Sequence, residues 1–259
     1  MPEGRKELAY VSLIQAASVI AFLVIWQEIV NRGIVPSLFV ASPTQVALHF
    51  GPTLLEPFVF ERVLYTLSVF AAAFAFTVFA GTVIGLLLGT FIYLRSALEP
   101  YMIVLYSIPK AIFIPVFWTF FGLGFSYQFW FASFAGVIPM TLNVMYAVKK
   151  DVDPELITLS RSLGASPLQV YYKVIIPSII PAMLTGARIS IRAVFADVIA
   201  AQEFVGTTGI GYLAQYYATN FEPVPLYVVV VLTALLGMVV YEAIIQAEKR
   251  LTRWNVQLS

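Results

Sequence analysis

Long runs of consecutive apolar side chains, nearly free of charge, alternate along this chain with shorter polar connections. Six runs are long enough to cross about 30 Å of hydrocarbon as helices, which takes roughly 20 residues each. They lie at about 10–31, 63–92, 100–121, 127–148, 177–203 and 225–247. The pattern predicts an all-α integral membrane protein, with residues 1–259 forming a single transmembrane domain of six helices. The first run is preceded by Arg5 and Lys6, as in a secretory leader, but it is too long for one and no small-residue cleavage site follows. It is read as an uncleaved span.

Details within the runs sharpen the picture. Gly81, Gly85 and Gly89 lie four apart on one face of the second run, a pattern that lets helix backbones approach closely. Pro109 and Pro115 interrupt the third run and Pro139 the fourth. A proline within a span frees a backbone carbonyl and kinks the helix.

The connection between the fourth and fifth runs is different in kind. Asp153-Pro154-Glu155 is a helix start, with an Asp N-cap, Pro at the first helical position and a carboxylate near the positive end of the macrodipole. Leu156, Leu159 and Leu163 recur at helical spacing before Gly164 breaks the helix. Ser166-Pro167 restarts a second helix by the same logic, with Val170, Val174 and Ile175 as its apolar stripe. Pro177 marks the start of the next span. Two short helices over about 153–174, joined by a glycine turn, are too polar to cross a bilayer.

Charge placement orients the chain. Arg5, Lys6, Arg95, Lys149, Lys150, Arg161, Lys173, Lys249, Arg250 and Arg253 fall on one side of the six-span plan, and Arg32 and Arg62 on the other. Positive residues concentrate on the cytoplasmic side, which puts both termini and 149–176 in the cytoplasm and 32–62 and 204–224 outside. Hydrophobic residues make up 60% of the chain and charged residues 11%, so lipid and not water is its solvent. A net charge of +1 gives no reason to invoke nucleic acid. With no cysteine and one histidine, His49, disulfides, thiolate ligation and His-rich metal sites are excluded. No G-x-x-x-x-G-K-[ST] run is present, so the chain has no P-loop of its own.

The polar connection resembles the EAA motif of ABC-importer permease subunits, whose pattern is E-A-A, three residues, G, nine residues, I-x-L-P. Gly164 fits the glycine, and Val174, Ile176 and Pro177 fit the ending at the same spacing. Thr158, Leu159 and Ser160 occupy the E-A-A positions, so the acidic residue is absent there, and Glu155 lies one turn earlier. Leu163-Gly164-Ala165-Ser166, the double proline Pro177 and Pro181, Thr185-Gly186-Ala187-Arg188 and Glu203…Gly209-Ile210-Gly211-Tyr212 resemble the nitrate/sulfonate/taurine branch. The likeness covers about residues 60–250.

The resemblance implies a bacterial inner-membrane importer with several parts. Two permease copies would form the pathway, and an extracytoplasmic binding protein would deliver solute. ATP and Mg would sit on a P-loop ATPase pair, with no cofactor on this chain. Glu155, Thr158, Leu159, Ser160, Arg161, Leu163, Gly164, Ala165 and Ser166 would form the cytoplasmic coupling-helix pair docking that ATPase. No residue is expected to be catalytic.

Charges at membrane depth are costly and usually face a cavity or a partner. Arg188 and Arg192, four apart on the fifth span, and Lys110 in the third are therefore candidates for the translocation path, favouring an anion such as nitrate, bicarbonate, a sulfonate or an aromatic acid. Pairing with Asp197, Glu203 or backbone carbonyls is the structural alternative for the arginines. Glu203, Gly206, Gly209 and Gly211 form a candidate turn at an outer gate. A membrane enzyme would need clustered histidines or paired carboxylates at depth. A stand-alone, ion-coupled secondary transporter stays open as the alternative, although no internal repeat supports it.

Overall fold

The computed structural model describes the backbone of residues 2–251 and side chains within 10–246. Arg253 lies outside the described residues, as do the side chains of Arg5, Lys6, Lys249 and Arg250. Every regular element among the described residues is helical. In chain order these are α1 (Pro2–Asn31), α2 (Pro43–Leu55), α3 (Pro57–Thr90), α4 (Ile92–Ser107), a 3-10 turn (Lys110–Phe113), α5 (Ile114–Phe121), α6 (Phe125–Lys150), α7 (Pro154–Ser162), α8 (Pro167–Val170), a π turn (Tyr171–Ile175), α9 (Ile176–Val205), α10 (Ile210–Thr219) and α11 (Pro223–Leu251). Among the described residues, five helical stretches are long and apolar enough to cross a membrane, or six if the bent pair α4–α5 makes one crossing.

The run read from the sequence as a span at 100–121 falls within that bent pair. The helix begins earlier, at Ile92, so Arg95 lies inside α4 and not in a connection. It then breaks after Ser107, and the two halves meet at 100°. Pro109 is the cause. Its ring disfavours helical backbone at the preceding residue, and Ile108 accordingly adopts ψ 136°.

The chain divides into two compact units, 1–61 with 213–233 and 62–212 with 234–259. In the first, Gln27 Oε1 on α1 accepts from the Thr44 N–H and hydroxyl on α2, each at 3.2 Å. Ser42 and Gln45 form a reciprocal capping box at the start of α2. Ala41, Val46 and Val228 form its small buried core.

In the second unit α6 is the central helix: 72% of its apolar window is buried, against 28% for α3 and 33% for the stretch containing α9. The glycine face of α3 explains one side of this packing. A Cβ at Gly81, Gly85 or Gly89 would stand 2.6 Å from the β-carbons of Met140, Val144 and Val148, so the hydrogens are what let α3 lie against α6. On the other side, Gly136 of α6 approaches Val194 of α9, and Ser190 donates to the Gly136 carbonyl at 3.1 Å.

Pro177 stands in the first turn of α9, and α8, the π turn and α9 run on as one stretch, Pro167–Val205. Pro177 lacks the N–H that would bond the Lys173 carbonyl, and its ring crowds that carbonyl. Widening the preceding turn to π relieves the crowding. Ser178 then bonds the Val174 carbonyl at 2.8 Å.

Candidate functional site

The polar connection after α6 folds as its sequence dictates. Asp153 caps α7 by accepting from the Glu155 N–H at 2.8 Å, with Pro154 at the first helical position. The helix ends in a Schellman arrangement, in which Ala165 N–H bonds the Ser160 carbonyl and Gly164 N–H the Arg161 carbonyl, both at 3.0 Å. This requires a left-handed residue, and Gly164 has φ +81°. Nothing lies within 4 Å of where its Cβ would stand, so backbone conformation and not packing selects glycine here. Ser166 then caps α8, accepting from the Gln169 N–H at 3.3 Å while Gln169 Oε1 accepts from the Ser166 N–H at 2.8 Å.

The side chains of α7 divide sharply. Ile157 packs inward with Val152, Val170 and Ile175. Leu156, Leu159 and Leu163 instead stand 46%, 57% and 80% exposed. Thr158 and Ser160 turn their hydroxyls onto the Pro154 and Leu156 carbonyls, at 3.0 and 2.7 Å. Glu155, Arg161, Gly164 and Ser166 are exposed and Ala165 is half-buried. The connection thus presents a rigid aliphatic ridge set among polar groups.

Of the two arginines on α9, Arg192 takes an aromatic hydroxyl as its partner. Arg192 is exposed, and its partner is Tyr241 of α11, whose hydroxyl accepts from Nη2 at 3.0 Å while its ring lies 4.9 Å below the guanidinium carbon. Arg188 is half-buried. Lys110 caps the broken end of α4, donating to the Tyr106 carbonyl at 2.6 Å. Thr185, Ile189, Arg192 and Ala196 share one exposed face of α9.

The glycine turn after α9 is clamped from within. Gln202 is completely buried. Its Oε1 accepts from the Thr66 hydroxyl of α3 at 2.9 Å and the Gly211 N–H at 3.3 Å, and its Nε2 donates to Gln128 of α6 at 3.2 Å. Thr66 accepts in turn from the Ile210 N–H at 2.9 Å. Tyr127 donates to the Ala201 carbonyl, and Arg62 holds the Thr207 carbonyl at 3.0 Å. Gly209 adopts φ +106°, and a Cβ there would meet the Gln202 amide within 2.5 Å. A Cβ at Gly206 would meet the Gln202 carbonyl at 2.0 Å, and one at Gly211 the Ile199 carbonyl at 2.3 Å. Glu203, by contrast, is exposed. Thr66, Gln128 and Gln202 were missed in the sequence reading. The available signal was a pair of amide side chains inside otherwise apolar spans.

With this geometry in view, the relatives are informative. The sequence model of the family described as "Binding-protein-dependent transport system inner membrane component" matches residues 81–253, which include all of α6 to α9. The chain belongs to that family. It is therefore a permease subunit of an ABC importer, integral to the inner membrane. Permease subunits are the non-catalytic part of such transporters. It is 25% identical over 242 residues to the taurine transport system permease protein TauC of Escherichia coli (strain K12), covering 90% of this chain and 86% of TauC. It is 24% identical over 258 residues to the putative aliphatic sulfonates transport permease protein SsuC of Bacillus subtilis (strain 168), covering 97% and 90%. A chain of the inward-facing MetNI methionine ABC transporter superposes with a TM-score of 0.63 at 21% identity, over 74% of this permease and 95% of that chain. At that identity the likeness concerns the fold alone.

Proposed function

We propose that this permease, residues 1–259 acting as one transport domain in two copies, forms the translocation path of an ATP-driven importer for a small anion. On this reading α7, the Gly164 turn and α8 are coupling helices that dock the permease onto a P-loop ATPase pair, which carries the ATP and Mg. An extracytoplasmic binding protein delivers the solute.

The observation that carries this reading is the ridge of Leu156, Leu159 and Leu163. Three leucines standing in water on a capped helix gain about 1.5–3 kcal/mol each if a partner buries them fully. A lipid-facing role does not suit them, because Glu155, Arg161 and the hydroxyl-bearing positions flank them. Closure of the ATPase pair would reach the membrane through α8, which continues into α9 without a break. The sorting of arginine and lysine supports a cytoplasmic location for this segment and for both termini.

An anionic solute is supported by the permeases that resemble this one, which are named for taurine and aliphatic sulfonates, and by Arg192 on the exposed face of α9. Lys110 and Arg188 are assigned to the same path, and Glu203, Gly206, Gly209 and Gly211 to its outer end. The test is uptake into proteoliposomes holding the permease, its ATPase and its binding protein. Uptake that requires ATP and is lost in Leu159→Asp supports the proposal. Uptake by the permease alone, driven by an ion gradient, overturns it in favour of a secondary transporter.

A further inference from the structure

We infer that the recess beneath the docking helices is a binding site for a phosphate-bearing anion at the cytoplasmic membrane surface. This rests on the proposed reading that residues 149–176 face the cytoplasm. The recess has a volume of about 290 Å³. At roughly 30 Å³ per water it has room for about ten waters, enough for a glycerophosphate-sized headgroup and more than a bare ion needs.

Its lining has two characters. Lys149 from the end of α6, Arg161 from α7 and Tyr171 from the π turn supply polar groups, while Val152, Val170 and Ile175 form an apolar base. The same connection carries three carboxylates, Asp151, Asp153 and Glu155, and none of them lines the recess. Asp153 is occupied by the Glu155 N–H. Neither Lys149 nor Arg161 is ion-paired to a carboxylate among the described residues.

Two cations from different helices converging on one apolar-based recess repel each other until an anion lies between them. Guanidinium and ammonium groups together are the usual recognition set for phosphate, the first as a planar fork and the second as a point charge. Basic pockets between helices on the cytoplasmic side attract anionic headgroups. Three other recesses differ: one is walled by Phe74, Val78, Val83 and Met183 and another by Phe22, Ile25 and Trp26, with no cation in either, and the third has one cation, Arg192, which is held by Tyr241. An anion held between Lys149 and Arg161 ties α7 to the end of α6. Occupancy therefore fixes the angle at which the leucine ridge is offered to its partner, and lipid composition becomes a regulator of coupling.

The experiment is native mass spectrometry of the full-length permease, without ATPase, titrated with phosphatidylglycerol or phosphatidylethanolamine, with inorganic phosphate as competitor. One phosphatidylglycerol retained per chain in preference to phosphatidylethanolamine, weakened about fivefold in each of Lys149→Gln and Arg161→Gln and retained in Lys149→Arg, supports the site with lipid as its source. Displacement of that lipid by inorganic phosphate supports the same site with a soluble anion as its source. Equal retention of both lipids, or no change in either glutamine variant, overturns it. Melting temperatures of the variants control for folding, and if Lys149→Gln is unstable the exposed Arg161→Gln carries the test. ATPase co-purification is scored separately. An unsubstituted permease that shows no lipid selectivity but still docks its ATPase sinks the site alone, and one that retains the lipid selectively but docks no ATPase sinks only the coupling reading.

Discussion

The Thr66 hydroxyl lies 2.9 Å from Gln202 Oε1, joining two residues 136 positions apart in a bond wholly removed from solvent. It makes the glycine turn part of the core. The turn's own amides, at Ile210 and Gly211, bond these two side chains, so helix ends that would otherwise carry unsatisfied groups are paired.

Gln202→Leu should therefore destabilise the permease by about 1–3 kcal/mol, because Thr66, Gln128 and the Gly211 amide lose a partner together. Thr66→Val should cost a similar amount, and the double variant clearly less than the sum of the two. Thermal unfolding in detergent measures all three. Additive losses would show that the network is not a unit.

The α3–α6 contact makes a steric prediction. Gly85→Leu puts carbon atoms where Val144 already stands and should cost at least about 1–3 kcal/mol, as overpacked cores do. The same substitution at Gly51, where nothing lies within 4 Å, should leave the melting temperature nearly unchanged. Equal effects at the two positions would contradict the packing described.

Gly164 has open space but a left-handed backbone, so its substitution penalty is conformational. Gly164→Ala should weaken the α7 terminus by about 1–2 kcal/mol, and Gly164→Asn by less, since Asn tolerates this region better. Hydrogen exchange at the Gly164 and Ala165 amides reports the loss directly. Protection unchanged in Gly164→Ala would show that the Schellman turn is not what ends the helix.

Tyr241 is the lever on Arg192. Tyr241→Phe removes the hydroxyl bond but keeps the ring, whereas Tyr241→Leu removes both. Under the anion-path proposal, Arg192→Gln should lower uptake of an anionic solute by about tenfold, Tyr241→Leu by less and Tyr241→Phe least, ordered by the charge and orientation lost. Full uptake in both Arg192→Gln and Arg188→Gln would sink a role for either arginine in the path.

Sequence pattern carried some of this and not the rest, for physical reasons. Run length is enough to place α6 and α9, because a span must be apolar for about 20 residues whatever it packs against. Caps are local, so Asp153, Gly164 and Ser166 could be read directly and stand where expected. Pro109 was visible as an interruption, yet a 100° bend depends on packing around the break as well as on the missing N–H. The partner of Arg192 lies 49 residues away and that of Gln128 74 away, and no periodicity reports such distances. The ridge leucines are the instructive case. Their helical spacing puts them on one face without saying what that face meets, and they are exposed while neighbouring Ile157 faces inward.

The most direct test of the coupling reading is affinity purification of the tagged permease in mild detergent from its native membrane, with every co-purifying protein identified. The account predicts a stoichiometric P-loop ATPase that is lost in Leu159→Asp while the permease stays folded. A permease recovered without any ATPase, or one that holds its ATPase equally well after Leu159→Asp, would contradict it.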